Sequence, residues 1–334
     1  MNPIDESRHP SRRRVLTGLA AAGAALVATP GVRAQAGWPS RPIRLVVPSA
    51  AGGAPDLICR ILGNELAQAL GQAVVIDNKP GAGGAIGMQE IAKAAPDGHT
   101  LGYANVVTLA INRSLYNKLP YDPDSFSSVA LLGTVQNALV VRNELPVKTV
   151  KEFIDYAKAR PGRLTMGSAG NGTTGHLGGE LFKSLTGTYI LHVPYRGSPN
   201  AIQDLIGGNI DLMFDNLSSI GPHVKAGRVR ALGVSGARRS ALFPQLPTIQ
   251  EAGVKGYETT AWGGIVGPNG LSSEVVTRLN TEINRILTAP AVREKYSQMA
   301  FETMASPPNL LMTMAKLESP RWADVVKRSG AKVE

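Results

Sequence analysis

The sequence predicts an α/β protein of two lobes, each a mainly parallel sheet flanked by helices, joined by two crossing strands. Three observations predict it. Short apolar runs alternate with amphipathic stretches twice over, on either side of a long apolar run at 128–141. A strand, Gly-rich loop and helix device occurs as Arg44-Leu45-Val46-Val47-Pro48-Ser49-Ala50-Ala51-Gly52-Gly53-Ala54 and again as Arg163-Leu164-Thr165-Met166-Gly167-Ser168-Ala169-Gly170-Asn171-Gly172-Thr173. The chain has 334 residues, 18% of them charged, which suffices for two cores.

The elements follow in order. Residues 43–48 read as a buried strand. Pro55 suits a first helical position and Asp56 the first turn, where the helix dipole favours an acid. That helix runs to about Leu70 and stops at Gly71. A strand at 74–78, a turn at 79–84, a helix at 86–95, a turn at 96–98 and a strand at 100–105 complete the first alternation. Such alternation implies βαβ units on a parallel sheet. The run 128–141 is long enough to leave one lobe and enter the next.

The alternation then restarts: helix 150–160, strand 164–168, helix 174–185, strand 190–194, helix 199–206, strand 210–215, helix 220–226 and strand 229–235. Residues 259–266 read as the second crossing segment. From Ser272 the tail is helical, with Val275, Leu279, Ile283 and Leu287 at i, i+4 spacing. The expected organisation is lobe 1 from 37–136 and 258–334, with the tail packed back on it, and lobe 2 from 137–257. Gly63-Asn64-Glu65-Leu66 resembles Gly178-Gly179-Glu180-Leu181 at an offset of 115, whereas the loops align at 119. The difference is about one helical turn. The lobes are therefore either related units whose first helices differ by a turn, or a chance similarity in an Ala/Gly-rich chain.

The formal net charge is +10. Residues 1–36 hold five Arg and two acids, so the remainder carries about +7, which steers anions. No Lys/Arg run with interleaved aromatics argues for nucleic acid. Residues 1–36 read as an export signal. Arg12-Arg13-Arg14 precede an apolar run at 16–28, and Ala34-Gln35-Ala36 offers cleavage after Ala34 or Ala36. The run is too short to span a membrane. The paired arginines point to twin-arginine export, with an ordinary secretory signal as the alternative. Either route leads to the periplasm. The lone Cys59 sits in a helical apolar pattern and reads as a small buried hydrophobe.

A Gly-rich loop opening into a helix aims backbone N–H groups and a positive dipole end at an anion. Two such loops facing each other would clamp an acid, and ligands of open α/β sheets sit at the carboxyl ends of strands. Ser168, Thr173 and Thr174 add hydroxyls that serve either as ligand donors or as helix caps. His176, in a helix first turn, is either a neutral donor or a core histidine. Catalytic readings lack their parts. Gly81-Ala82-Gly83-Gly84-Ala85-Ile86-Gly87 has GxGxxxG spacing, but no Tyr has Lys four positions on. No GxSxG elbow is present, the five His are scattered, and no Cys pair exists. No catalytic residue, cofactor or metal is expected.

The ordered motifs Trp38-Pro39-Ser40-Arg41-Pro42-Ile43-Arg44, Ala51-Gly52-Gly53-Ala54-Pro55-Asp56, Asn78-Lys79-Pro80-Gly81-Ala82-Gly83-Gly84, Ala95-Pro96-Asp97-Gly98-His99-Thr100-Leu101, His192-Val193-Pro194-Tyr195-Arg196-Gly197, Ile206-Gly207-Gly208-Asn209-Ile210-Asp211 and Phe243-Pro244-Gln245-Leu246-Pro247-Thr248 resemble the tripartite tricarboxylate transporter solute receptors, the Bug proteins. The match covers almost everything after Trp38. The resemblance implies a type II periplasmic binding protein, expected as a monomer, that captures a di- or tricarboxylate, an acidic amino acid or an aromatic acid. It implies ligand contacts from Ser49, Ala50, Gly52, Gly53 and Ala54 in the first loop and from Ser168, Gly172, Thr173, Thr174 and His176 in the second, with Asp215 and Asn216 at the distal end. The implied partner is a pair of membrane transporter subunits. A sensor presenting its ligand to a signalling ectodomain, or an exported NAD(P)-dependent oxidoreductase using 81–87, are the alternatives. The family commonly carries an aromatic residue where this chain has Ser49, which leaves a roomier or more polar pocket.

Overall fold

The computed structural model describes residues 37–331; the export segment read at 1–36 lies outside the described residues. The first three strands, β1 (Ile43–Val47), β2 (Val74–Asn78) and β3 (Thr100–Asn105), are parallel with β1 in the middle. Helix α1 (Ala54–Leu70) joins β1 to β2 and buries Ile58, Cys59, Leu62 and Leu66. A 3₁₀ turn (Ala82–Gly84) and the short α2 (Ala85–Ala92) join β2 to β3. That helix starts one residue before the expected 86 and ends three before 95, because Lys93 and Ala94 leave the helix ahead of the Pro96 turn. A π-helical turn (Val107–Ile111) and α3 (Asn112–Leu115) follow β3.

The second lobe repeats this order. Strands β5 (Thr165–Ser168), β6 (Leu191–Pro194) and β7 (Leu212–Asn216) are parallel with β5 in the middle. They are linked by α5 (Thr174–Thr186) and α6 (Ser198–Ile206), after α4 (Val150–Lys158) has entered the lobe. Helix α7 (Leu217–Lys225) leads to β8 (Arg230–Val234). Helix α1 has 17 residues and α5 has 13, a difference of four, the single turn that the offset tetrapeptides predict. Both helices stop at a left-handed glycine, Gly71 at φ 66° and Gly187 at φ 67°.

One long strand, β4 (Ser127–Val141), belongs to both lobes. Its residues from Ser127 to Gln136 pair antiparallel with β9 (Thr260–Gly267). From Asn137 to Val141 it pairs with β7 and β8 instead. Ser235 ties the two crossings at that switch. Its N–H donates to Asn137 O and its carbonyl accepts from Thr259 N–H, while its hydroxyl accepts from Asn137 N–H at 2.9 Å and donates to Thr259 O at 2.5 Å. The sheet therefore runs unbroken in the order β2-β1-β3-β9-β4-β7-β5-β6.

The tail is helical with one interruption. Helices α8 (Ser273–Thr288) and α9 (Pro290–Ser297) are followed by β10 (Phe301–Thr303), which adds to β4, and then by α10 (Leu310–Ser329). α8 and α9 lie against α1, whereas α10 reaches further and packs on both the 107–111 turn and α5 of the second lobe. Cys59 is fully buried. Among the described residues no helix is long and apolar enough to cross a membrane.

Candidate functional site

Both Gly-rich loops leave the carboxyl end of the middle strand of a parallel trio. In the first, Gly53 N–H donates to Ala50 O, and Gly52 N–H donates to the Asp56 Oδ2 carboxylate at 2.9 Å. The same oxygen accepts from Arg60 Nε at 2.9 Å. Burial pushes the Asp56 carboxyl up, but Arg60, the Gly52 N–H and Asn78 outweigh it and hold it below its ordinary value. Gly53 is the N-cap of α1 and offers no side-chain cap. The first-turn N–H groups of Ala54 and Asp56 have no intrahelical partner.

In the second loop, Thr173 is the N-cap of α5 and its Oγ1 accepts from His176 N–H. The same hydroxyl donates to Gly170 O at 2.8 Å, so its proton is already committed. Gly172 N–H donates to His176 Nδ1 at 3.0 Å. That bond requires an unprotonated Nδ1 and places the ring proton on Nε2. The His176 ring stacks on His192, with centroids 3.9 Å apart. Burial, then the neighbouring His192 and Lys183, bring His176 down to about 3. Burial and Lys183 bring His192 down to about 4. Both rings are neutral at physiological pH. Thr174 and Gly175 keep unpartnered first-turn N–H groups.

The loops face one cavity of about 690 Å³. Ser49, Ala50, Gly53 and Ala54 line it from the first lobe, and Thr173, Thr174, Asp215 and Asn216 from the second. Ser168, Gly172 and His176 are buried off this lining and Gly52 is exposed off it; all four shape the loops. Ser168 Oγ lies 2.7 Å from His192 Nε2, the spacing of a nucleophile and its base. Ser168 is 0% exposed and its hydroxyl also engages Gly170, so the pair fastens β5 to β6 behind the loop.

Asp215 sits near the cavity wall at 5% exposure. Its Oδ2 accepts from Ser219 Oγ at 2.5 Å and from Ser198 Oγ. Burial pushes its carboxyl up to about 6 in spite of these hydroxyls.

Several lining residues were not found by sequence reasoning. Tyr103, Val135, Ala261, Trp262 and Phe301 arrive from strands far apart in the chain. Ser198 had a local signal, since it follows Gly197 at a helix start, but Ser219 had none. Gly81, Ala82, Gly83 and Gly84, weighed above as a nucleotide loop, form another wall of this cavity. Among the described residues no group of three His, Cys, Asp or Glu could hold a metal ion.

Comparison with known proteins agrees with this geometry. Residues 58–331 match the model of the tripartite tricarboxylate transporter family receptor. Protein BugT of Bordetella pertussis is 34% identical over 96% of this chain and 99% of its own length. A structure of an R. palustris protein with adipate superposes with a TM-score of 0.87 at 38% identity, covering 89% of this chain and 100% of that one. The periplasmic binding protein BugD superposes with a TM-score of 0.85 at 32% identity, over 89% of this chain and 100% of that one. The twofold strand–loop–helix device, the shared strand β4 and these matches agree: the chain belongs to the tripartite tricarboxylate transporter family receptors.

Proposed function

We propose that the protein is a periplasmic receptor that captures a small carboxylate between its lobes and delivers it to a membrane transporter. The observation that carries this reading is the convergence of two helix N-termini, each with unpartnered first-turn N–H groups, on one cavity of about 690 Å³. A charge-assisted hydrogen bond contributes about 1.5–3 kcal/mol and a helix terminus about 0.3–1. Three or four such contacts suffice for a micromolar Kd, about −8 kcal/mol. The adipate held by the R. palustris relative supports an acid as ligand.

In this reading Ser49, Ala50, Gly53, Ala54 and Thr174 surround the acid, while Asp215 and Asn216 face the rest of the ligand. Thr173, with its proton on Gly170 O, contributes chiefly as a cap. Gly52, Ser168, Gly172 and His176 act by holding the loops. The lobes close about the switch in β4 after Gln136 and about Ser235 and Thr259. Residues 1–36 direct export through the twin-arginine route, and the receptor works as a monomer. A thermal-shift screen of the purified protein against organic acids tests the reading. At least one carboxylate should raise the melting temperature. The reading fails if none does while a nicotinamide dinucleotide does.

A further inference from the structure

Several hydroxyls on the cavity wall are already engaged within the protein. Thr173 Oγ1 donates to Gly170 O, Thr108 Oγ1 to Asn105 O at 3.2 Å, and both Ser198 and Ser219 to Asp215 Oδ2. Two side-chain donors on the lining have no such partner. Trp262 is 1% exposed, and its Nε1 is buried without an acceptor. Arg196 makes no ion pair and no side-chain hydrogen bond among the described residues, and it is the one cationic side chain on the lining. Both donors call for acceptor atoms on the ligand beyond the carboxylate that meets the loop N–H groups.

Arg196 stands where the lobes meet. The chain on either side of it is fixed. Tyr195 N–H donates to Ser168 O at 3.0 Å and its hydroxyl to Asp204 Oδ2 at 2.6 Å, while Gly197, at φ 117°, is the N-cap of α6. A Cβ placed on Gly197 would lie 2.6 Å from Ala50 Cβ, and one on Gly52 would lie 3.5 Å from Pro199 Cγ. This segment of the second lobe therefore abuts the first loop and carries the guanidinium to the seam between the lobes. Asp215, the one acidic side chain on the lining, forms no ion pair with it. Asp215 instead holds two serine protons and precedes the N-terminal end of α7, whose dipole offsets negative charge there.

We infer that Arg196 recognises a second carboxylate on the ligand and thereby separates diacids from monoacids. One carboxylate occupies the loop donors, and the other meets the guanidinium fork, whose paired N–H groups match a carboxylate. The Arg196 side chain is exposed, so its contribution is screened as salt rises. This inference rests on the carboxylate-receptor reading above and names the residue that selects the class of acid.

The experiment is calorimetric titration of the purified full chain at neutral pH and low salt with succinate, glutarate and adipate, each beside the monoacid of equal length. For at least one length the diacid should bind about tenfold more tightly than its monoacid. Arg196→Gln should weaken that diacid about tenfold and change the monoacid by less than about twofold. An exposed side chain without partners can be replaced with the fold intact, so the urea midpoint should not move. A monoacid that matches its diacid at every length overturns the inference, as does an Arg196→Gln variant that weakens both classes equally or neither. The receptor reading survives those results, because acids still bind. Binding by none of the acids to the unaltered chain counts against that reading and the inference together.

Discussion

The two Gly-rich loops perform the same task with different chemistry. In each, a glycine one residue before the N-cap donates its N–H to the side chain four residues on. Gly52 donates to Asp56 and Gly172 to His176, an offset of 120 at both positions. The first acceptor is an ionised carboxylate held by Arg60, and the second is a neutral imidazole stacked on His192. The backbone geometry is nearly equal, with ψ of 164° at Gly53 and 158° at Thr173. A negative charge at a helix N-terminus takes up part of the dipole that would attract an anion. The first loop therefore presents a weakened field and the second its full field. In the proposed reading a shared backbone device sets where the acid sits, and the side chain behind each loop sets how strongly that loop attracts it.

Breaking the brace of the second loop should have the largest effect. His176→Ala leaves the Gly172 N–H buried without an acceptor and opens a void beside His192. It should cost about 2–4 kcal/mol in urea denaturation and also weaken acid binding. An unchanged midpoint would show that the imidazole does not hold this loop.

Acid should separate the loops next. His176 and His192 take up protons near 3 and 4 when folded, against an ordinary value of 6.5. Below 6.5 the unfolded chain gains these protons first, so their stabilisation is complete above that pH and is lost as pH falls towards 4. Asp215 acts in the opposite sense. Raised from 3.8 to about 6, it favours the folded state on acidification across that interval. Two imidazoles outweigh one carboxyl, so the urea midpoint should fall between pH 6.5 and 4.5. His176→Gln, whose amide oxygen can accept from Gly172, should flatten that slope. The first loop, held by a carboxylate whose value is lowered, loses its brace only below the ordinary carboxyl range.

Smaller changes sharpen the contrast. Thr173→Val removes a cap that the first loop never had and should cost about 1 kcal/mol. Acid affinity measured by calorimetry should fall only slightly, because the Thr173 proton is already on Gly170. Asp56→Asn keeps an oxygen for Gly52 while removing the charge. Its stability cost should stay within about 1 kcal/mol, since Arg60 is half exposed. Acid affinity should rise about two- to threefold as the first helix recovers its field. Weaker binding in this variant would mean that the Asp56 charge helps to hold the anion.

Much of this arrangement was legible in the residues themselves. Each βαβ unit announces itself through a short apolar run, a Gly-rich turn and an amphipathic helix, all within about thirty residues. The four-residue difference between α1 and α5 was visible as an offset between two tetrapeptides. The residues facing the cavity from the loops were also within reach, because a loop at the carboxyl end of a middle strand has few other places to point. The second role of His176 was not legible. Its ring had to be seen accepting from Gly172 and lying on His192, which comes from another strand. The interruption of the tail by β10 was missed for a similar reason: three residues carry no periodicity, and only pairing with β4 makes Phe301–Thr303 a strand.

The sequence by itself determined the alternating elements, their caps and stops, and the duplication of a Gly-rich loop opening into a helix, since all of these arise from contacts between near neighbours in the chain. The tertiary structure alone decided the cavity. Its floor is assembled from Val135, Ala261 and Phe301, whose pairing across β4, β9 and β10 depends on strand register between distant segments. The same long-range packing brings Gly197 onto Ala50 and Gly172 onto Leu115. Register and burial of that kind are properties of the folded chain as a whole, and no local pattern of residues carries them.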